Sequence, residues 1–153
     1  PPQVPKIIED LSSKPVKEQI DELTKIVAKG LNHERNIEYK DLEIFEYNGE
    51  GYNRTMNYEG WRVAIANFGE HFDEERYNYL ERHLLTDEVF VLLSGEASLI
   101  IGKQFSKTNL EVGKIYNVKK GVYHALLMKR DAKVLIVENH NTGLENTEYY
   151  YFK

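Results

Sequence analysis

Apolar residues are spaced in two different ways along this chain. Near the start, Val16, Ile20, Leu23, Val27 and Leu31 recur every three or four positions, which places them on one stripe of a helix. Ser12 or Ser13 offers an N-cap, Pro15 suits the first turn and Gly30 a stop. The pattern therefore predicts an extended segment and an amphipathic helix over residues 1–32, with the stripe packed on the main domain or on a second subunit. From Ile37 onward the rhythm changes to short runs broken by turn residues.

Those runs predict strands over 41–47, 61–68, 79–84, 89–93, 97–101, 115–118, 122–128 and 133–138. Within 61–68, Arg62, Ala64 and Ala66 share one face, while Trp61, Val63 and Ile65 share the other. Asn48-Gly49-Glu50-Gly51, Thr86-Asp87, Ser94-Gly95-Glu96, Lys119-Lys120-Gly121 and Arg130-Asp131 read as turns, the second returning the chain so that Glu88 starts the next strand. The charged stretch 69–77 reads as a loop, and so does 138–143, where His140 is expected to be exposed. Strands every eight to twelve residues with no long helix between them predict an all-β sandwich or closed barrel over residues 33–153. The closing run Tyr149-Tyr150-Tyr151-Phe152 would be sticky if exposed, so it is expected to dock on the domain or on a partner.

Composition narrows the chemistry. The chain has 153 residues, enough for one domain with an appendage, and it has no cysteine. Disulfides, thiolate metal sites and cysteine nucleophiles are thereby excluded. A net charge of −5 argues against a nucleic-acid or anionic-membrane partner. No apolar run is long enough to span a bilayer, and the first residues lack the apolar stretch of a secretory signal, so a cytoplasmic location is expected. Neither a Gly-x-Ser-x-Gly elbow nor a phosphate-binding glycine loop is present.

The remaining candidates are histidines and carboxylates. Period-two alternation puts Tyr79, Glu81 and His83 on one face, and Glu88, Phe90 and Leu92 on one face of the next strand. His124, Leu126 and Met128 share a face further on. If these faces point into one barrel, Glu81, His83, Glu88 and His124 converge. Two imidazoles with one or two carboxylates suit a divalent first-row ion such as iron, manganese, zinc or nickel. Arg62, Tyr77 and Tyr79 can line a pocket and bind a carboxylate or a sugar, and Arg82 is expected to face outward.

In this region, roughly 61–139, the sequence resembles the cupin superfamily. The first cupin motif has a His-x-His pair, three or four residues, a Glu, six residues and a Gly. Here His83 stands as the second His, followed by Glu88 and Gly95 at the right spacing. The second motif has a Gly, five residues, Pro-x-Gly, two residues, a His, three residues and an Asn. Gly113, Gly121 and His124 match it. Glu81 replaces the first His, Glu75 the opening Gly, Lys119 the Pro and Met128 the closing Asn. The resemblance implies a double-stranded β-helix (jelly-roll) barrel, a homodimer, and metal ligands at His83, Glu88 and His124. Glu81 is a chemically sensible fourth ligand.

The functional expectation is a small metal-binding cupin acting on a small polar metabolite, a sugar derivative or an organic acid. Glu81 or Tyr79 would move the proton. A metal-free module that binds or senses a small molecule is the alternative, and a filled structural barrel is a third.

Overall fold

The computed structural model describes residues 33–153. The helix expected within 1–32 lies outside the described residues. Residues 33–47 belong to a unit separate from Asn48–Lys153. They form a small antiparallel hairpin of β1 (Ile37–Glu38) and β2 (Glu43–Ile44), extended by a bridge between Glu34 and Tyr47. The strand expected over 41–47 is thus reduced to two residues and a bridge.

Asn48–Lys153 carries ten strands in two antiparallel sheets. They are β3 (Tyr52–Tyr58), β4 (Trp61–Asn67), β5 (Tyr79–His83), β6 (Glu88–Ser94), β7 (Ala97–Ile101), β8 (Ser106–Asn109), β9 (Tyr116–Val118), β10 (His124–Met128), β11 (Lys133–Asn139) and β12 (Thr147–Tyr151). One sheet has the order β12-β5-β10-β7-β8 and the other β3-β4-β11-β6-β9. Successive strands repeatedly change sheet, as the connection from β5 to β6 shows. The expected turn at Thr86-Asp87 is therefore a corner between sheets rather than a hairpin. Asp87 holds that corner by accepting hydrogen bonds from the Lys120 backbone and the Asn117 side chain, at 2.8 and 3.0 Å.

Three strands were not foreseen. β3 and β8 are mostly polar and carry no apolar alternation. β12 is the aromatic tail, which docks within the chain by pairing residue for residue with β5. The loop expected over 69–77 contains a single 3-10 turn, Glu70–Phe72, that sends Phe72 into the core.

Alternation on the inner faces fills only part of the barrel with apolar atoms. Each of four inward rows has a polar residue at one end and two apolar residues beyond it. The rows are Arg62-Ala64-Ala66, Glu88-Phe90-Leu92, His124-Leu126-Met128 and Val134-Ile136-Glu138, and every member is buried. Antiparallel register brings the four polar ends together: Glu138 lies opposite Arg62, and His124 lies opposite Glu81. Leu99, Leu110 and Val118 complete the apolar part of the core. On the outer face of the first sheet, Leu80, Ile100 and Leu127 form a second cluster, covered by Tyr123, Tyr150 and Phe152.

The apolar end is closed by two turns packed against each other. The Lys129 N–H donates to the Glu96 carbonyl at 2.9 Å. Gly95 has φ of +74°, and a Cβ there would sit 2.5 Å from the Asp131 carbonyl oxygen. Gly113 has a similar φ of +87° but open space around it. Gly95→Ala should therefore cost about 3 kcal/mol, from left-handed strain plus overpacking against backbone. Gly113→Ala should cost only about 1 kcal/mol. Chemical denaturation of both variants checks this, and equal losses would contradict it.

Candidate metal centre

The polar end of the barrel is built by cross-strand pairing. On the first sheet, His83 lies opposite Thr147, and Glu81 opposite both His124 and Tyr149. Paired residues project to the same side, so these side chains form one patch. On the second sheet, Glu88 opens β6 beside β11, which carries Glu138 as its penultimate residue. The two patches face each other across a cavity of about 250 Å³ lined by Tyr52, Arg62, Tyr79, Glu81, His83 and Glu138, among others.

The hydrogen bonds fix the imidazoles. His124 Nδ1 lies 3.0 Å from the Val122 carbonyl oxygen. A carbonyl only accepts, so Nδ1 carries the proton and Nε2 turns to the centre. There it meets Glu88 Oε1 at 2.8 Å. His83 Nδ1 is held by the Thr147 hydroxyl at 3.0 Å, so its Nε2 also faces inward. That nitrogen lies 3.4 Å from Glu88, 3.9 Å from Glu138 and 4.0 Å from Glu81.

Glu138 is anchored on one oxygen only. Its Oε1 accepts from the Tyr52 hydroxyl at 2.7 Å and from the Arg62 guanidinium at 2.6 Å. Arg62 also donates to the carbonyls of His140 and Thr142, each at 3.2 Å. The carboxylate that Arg62 was expected to bind is thus the chain's own Glu138. The sequence reading missed Glu138 as a site residue because 138–143 looked like a loop. The signal was present: extending the inward row Val134, Ile136 by two residues reaches Glu138.

Proton affinities follow from this packing. Burial opposes the charged form of His124, but the hydrogen bond and charge of Glu88 outweigh it and raise its pKa; the same balance raises His83. Burial likewise opposes the charge of Glu88, yet the hydrogen bond from His124 and the nearby imidazole of His83 hold its carboxyl well below the usual range. Glu81 and Glu138 are pushed up, first by burial and then by the nearby carboxylate of Glu88. Burial and Glu138 together push the Tyr52 phenol above its ordinary value.

Among the described residues, two groups of three donors could hold an ion: Glu81, His83 and His124, and His83, Glu88 and Glu138. A fit can be tested on the buried atoms. His83 Nε2 and Glu138 Oε2 are both buried and have no hydrogen-bond partner among the described residues. Separations of 3.4 to 4.0 Å around His83 Nε2 are too long for a good hydrogen bond. They match atoms sharing one ion at about 2.0–2.2 Å each, which stand roughly 3–4 Å apart. The donor set of two imidazoles and carboxylates suits a first-row divalent ion. All four ligands named from the sequence are brought together, and Glu138 joins them. Tyr79 lines the same cavity, and Tyr77 does not. His140 is exposed, as expected, and Arg82 pairs with Glu148 on the outside.

No protein-family model matches the chain, and no curated protein sequence matches it. Solved structures do. The polyketide cyclase RemF from Streptomyces resistomycificus superposes with a TM-score of 0.52 over 67% of this chain and 71% of its own, at 10% identity. Streptomyces PAC13, solved with uridine, gives 0.51 over 80% and 88%, at 7% identity. A cupin-2 domain containing protein from Shewanella frigidimarina gives 0.49 over 61% and 85%, at 20% identity. At these identities the likeness is one of fold. The chain has the cupin fold, a jelly roll of two five-stranded antiparallel sheets.

Arg62 and Glu138 are 7% and 4% exposed at the side chain, so neither can fall back on water. Arg62→Met should cost about 3 kcal/mol because it strands a buried carboxylate. Adding Glu138→Gln should recover most of that loss. Denaturant midpoints of the single and double variants measure it; a double variant no more stable than Arg62→Met would show that the pair does not carry the charge balance.

Proposed function

We propose that this protein is a metal-binding cupin that acts on a small polar metabolite, a sugar derivative or an organic acid. The observation that carries the proposal is the pair of unpartnered buried atoms, His83 Nε2 and Glu138 Oε2, facing one another across 3.9 Å. Burying such groups without a partner costs free energy that an ion between them would return. His83, His124 and Glu88 would hold the ion, with Glu81 or the free Oε2 of Glu138 completing the set, and iron, manganese, zinc or nickel all suit these donors. Such an ion supplies polarisation of a carbonyl or hydroxyl on the substrate.

The chain's own groups do the rest. Arg62 and Tyr52 fix Glu138, and Thr147 and the Val122 carbonyl fix the imidazoles. Glu81 is the least buried of the three carboxylates, with 34% of its side chain exposed, and its pKa is raised, first by burial. It can therefore hold or release a proton at a substrate atom inside the cavity. Tyr79 stands two residues away on the same face with its phenol pKa also raised by burial and by Glu81, so it is better suited to donate than to accept.

Elemental analysis tests the proposal on protein purified without chelators or a metal-affinity column. About one ion per chain is expected, and loss of that ion in His83→Ala/His124→Ala with the fold kept. No ion, even after reconstitution with each candidate, would overturn it. Uptake should also be pH-dependent. The raised imidazole pKa values mean that protons occupy Nε2 below them, so affinity should fall about tenfold per pH unit for each proton displaced. Competitive titration across that range measures the slope, and a flat profile would exclude histidine ligation.

The direct 2.8 Å contact of His124 with Glu88 favours one second reading, a metal-free binding module in which the ion pair is complete by itself. Its signature is thermal stabilisation by a small ligand without metal or turnover.

A further inference from the structure

The mouth of the cavity carries a cation that the centre does not use. Arg54 lies on β3 opposite Ala64 of β4. Ala64 faces the barrel interior and is 1% exposed, so pairing puts Arg54 on the same inner face, and its side chain lines the cavity. Ala64 also leaves room for a large neighbour. Each of the other five arginines of the described residues has a partner: Glu34, Glu138, Glu70, Glu148 or the Phe68 ring. Among the described residues the Arg54 side chain has no hydrogen bond and no ion pair.

Aromatic rings stand on the other side of the mouth. β3 and β12 are edge strands of the two sheets. On β12, Tyr149 lies opposite Glu81 and Tyr151 opposite Tyr79. The Tyr79 ring packs on Tyr149 at 5.3 Å and on Tyr151 at 5.4 Å between centroids. The hydroxyls of Tyr79 and Tyr149, both in the cavity wall, have no hydrogen-bond partner among the described residues. A molecule entering the cavity therefore meets a free guanidinium on one edge and a tyrosine wall on the other, with the His-Glu centre below.

We propose that Arg54 binds the carboxylate of the substrate while Tyr79 and Tyr149 hold its ring, so that the site takes a small cyclic carboxylic acid. This rests on the reading of the cavity as a substrate site. A single planar guanidinium matches a carboxylate at two points. A phosphate dianion would bring a second charge toward Glu81, Glu88 and Glu138 with no further free cation in the wall. The cavity, at about 250 Å³, falls below the range typical of drug-sized ligands, which also points to a small molecule.

The test uses two matched pairs of probes: galacturonate against galactose, and salicylate against 2-hydroxybenzyl alcohol. Binding is followed by thermal shift and titration calorimetry with wild-type protein, Arg54→Gln and Tyr149→Ala, and metal content is measured on the same samples. At least one acid should bind wild type about tenfold or more tightly than its neutral partner. Arg54→Gln should abolish that preference without changing the unliganded Tm or the metal content. Tyr149→Ala should weaken the acid and leave the dependence on Arg54 intact. Absence of any acid preference in wild type, or its survival in Arg54→Gln, would overturn the proposal. An Arg54-dependent preference in protein that takes up no metal would keep this anion site and defeat the metal reading alone.

Discussion

Charge buried between two sheets has to be compensated on the spot, and the polar end of this barrel is organised around that constraint. Glu81, Glu88 and Glu138 face His83, His124 and Arg62 in a space from which much of the water is excluded. Arg62 answers Glu138, and the imidazolium of His124 answers Glu88. His83 is left among three carboxylate oxygens at distances that no hydrogen bond spans well. A divalent cation would resolve the imbalance by taking the place of protons on the two inward nitrogens. The backbone and side-chain contacts on the outward nitrogens would stay as they are.

The rest of the fold makes that arrangement affordable. The apolar end of each inward row supplies a packed core of Phe90, Leu92, Leu126, Val134 and Ile136. Stability is drawn from that end, while the polar end is left open and partly unsatisfied, the division expected where a functional site departs from the rules that govern the core. Small side chains at Ala64 and Ala66 keep the second sheet from filling the cavity and make space for Tyr52 and Arg54. The β12 edge adds tyrosines to the mouth without adding bulk near His83, because Thr147 is the residue opposite it.

Much of this was legible in the sequence because a strand has a side-chain period of two. Alternation alone put Glu81 with His83, aligned Glu88 with Phe90, and set His124 at the head of its row; the motif spacing then joined them. Other parts were not legible for physical reasons. β3 and β8 lie at sheet edges and hold largely polar residues, so they give no apolar signal. Turn-forming residues after Asn139 hid the inward direction of Glu138. Arg62 was recognised as a carboxylate binder, but only the register of β4 against β11 shows that its partner is internal. Thr86-Asp87 read as a turn, yet nothing local distinguishes a hairpin from a corner between sheets.

The central claim is that His83 and His124 present their Nε2 atoms to a shared ion. The most direct measurement is nitrogen-15 NMR of the imidazole rings in metal-stripped protein titrated with zinc. The account predicts that the Nε2 resonances of His83 and His124 move together to the shifts of metal-bound nitrogen and saturate near one equivalent, while His33, His71 and His140 stay unchanged. Zinc-induced shifts confined to those other three rings, or no shift at all, would contradict it.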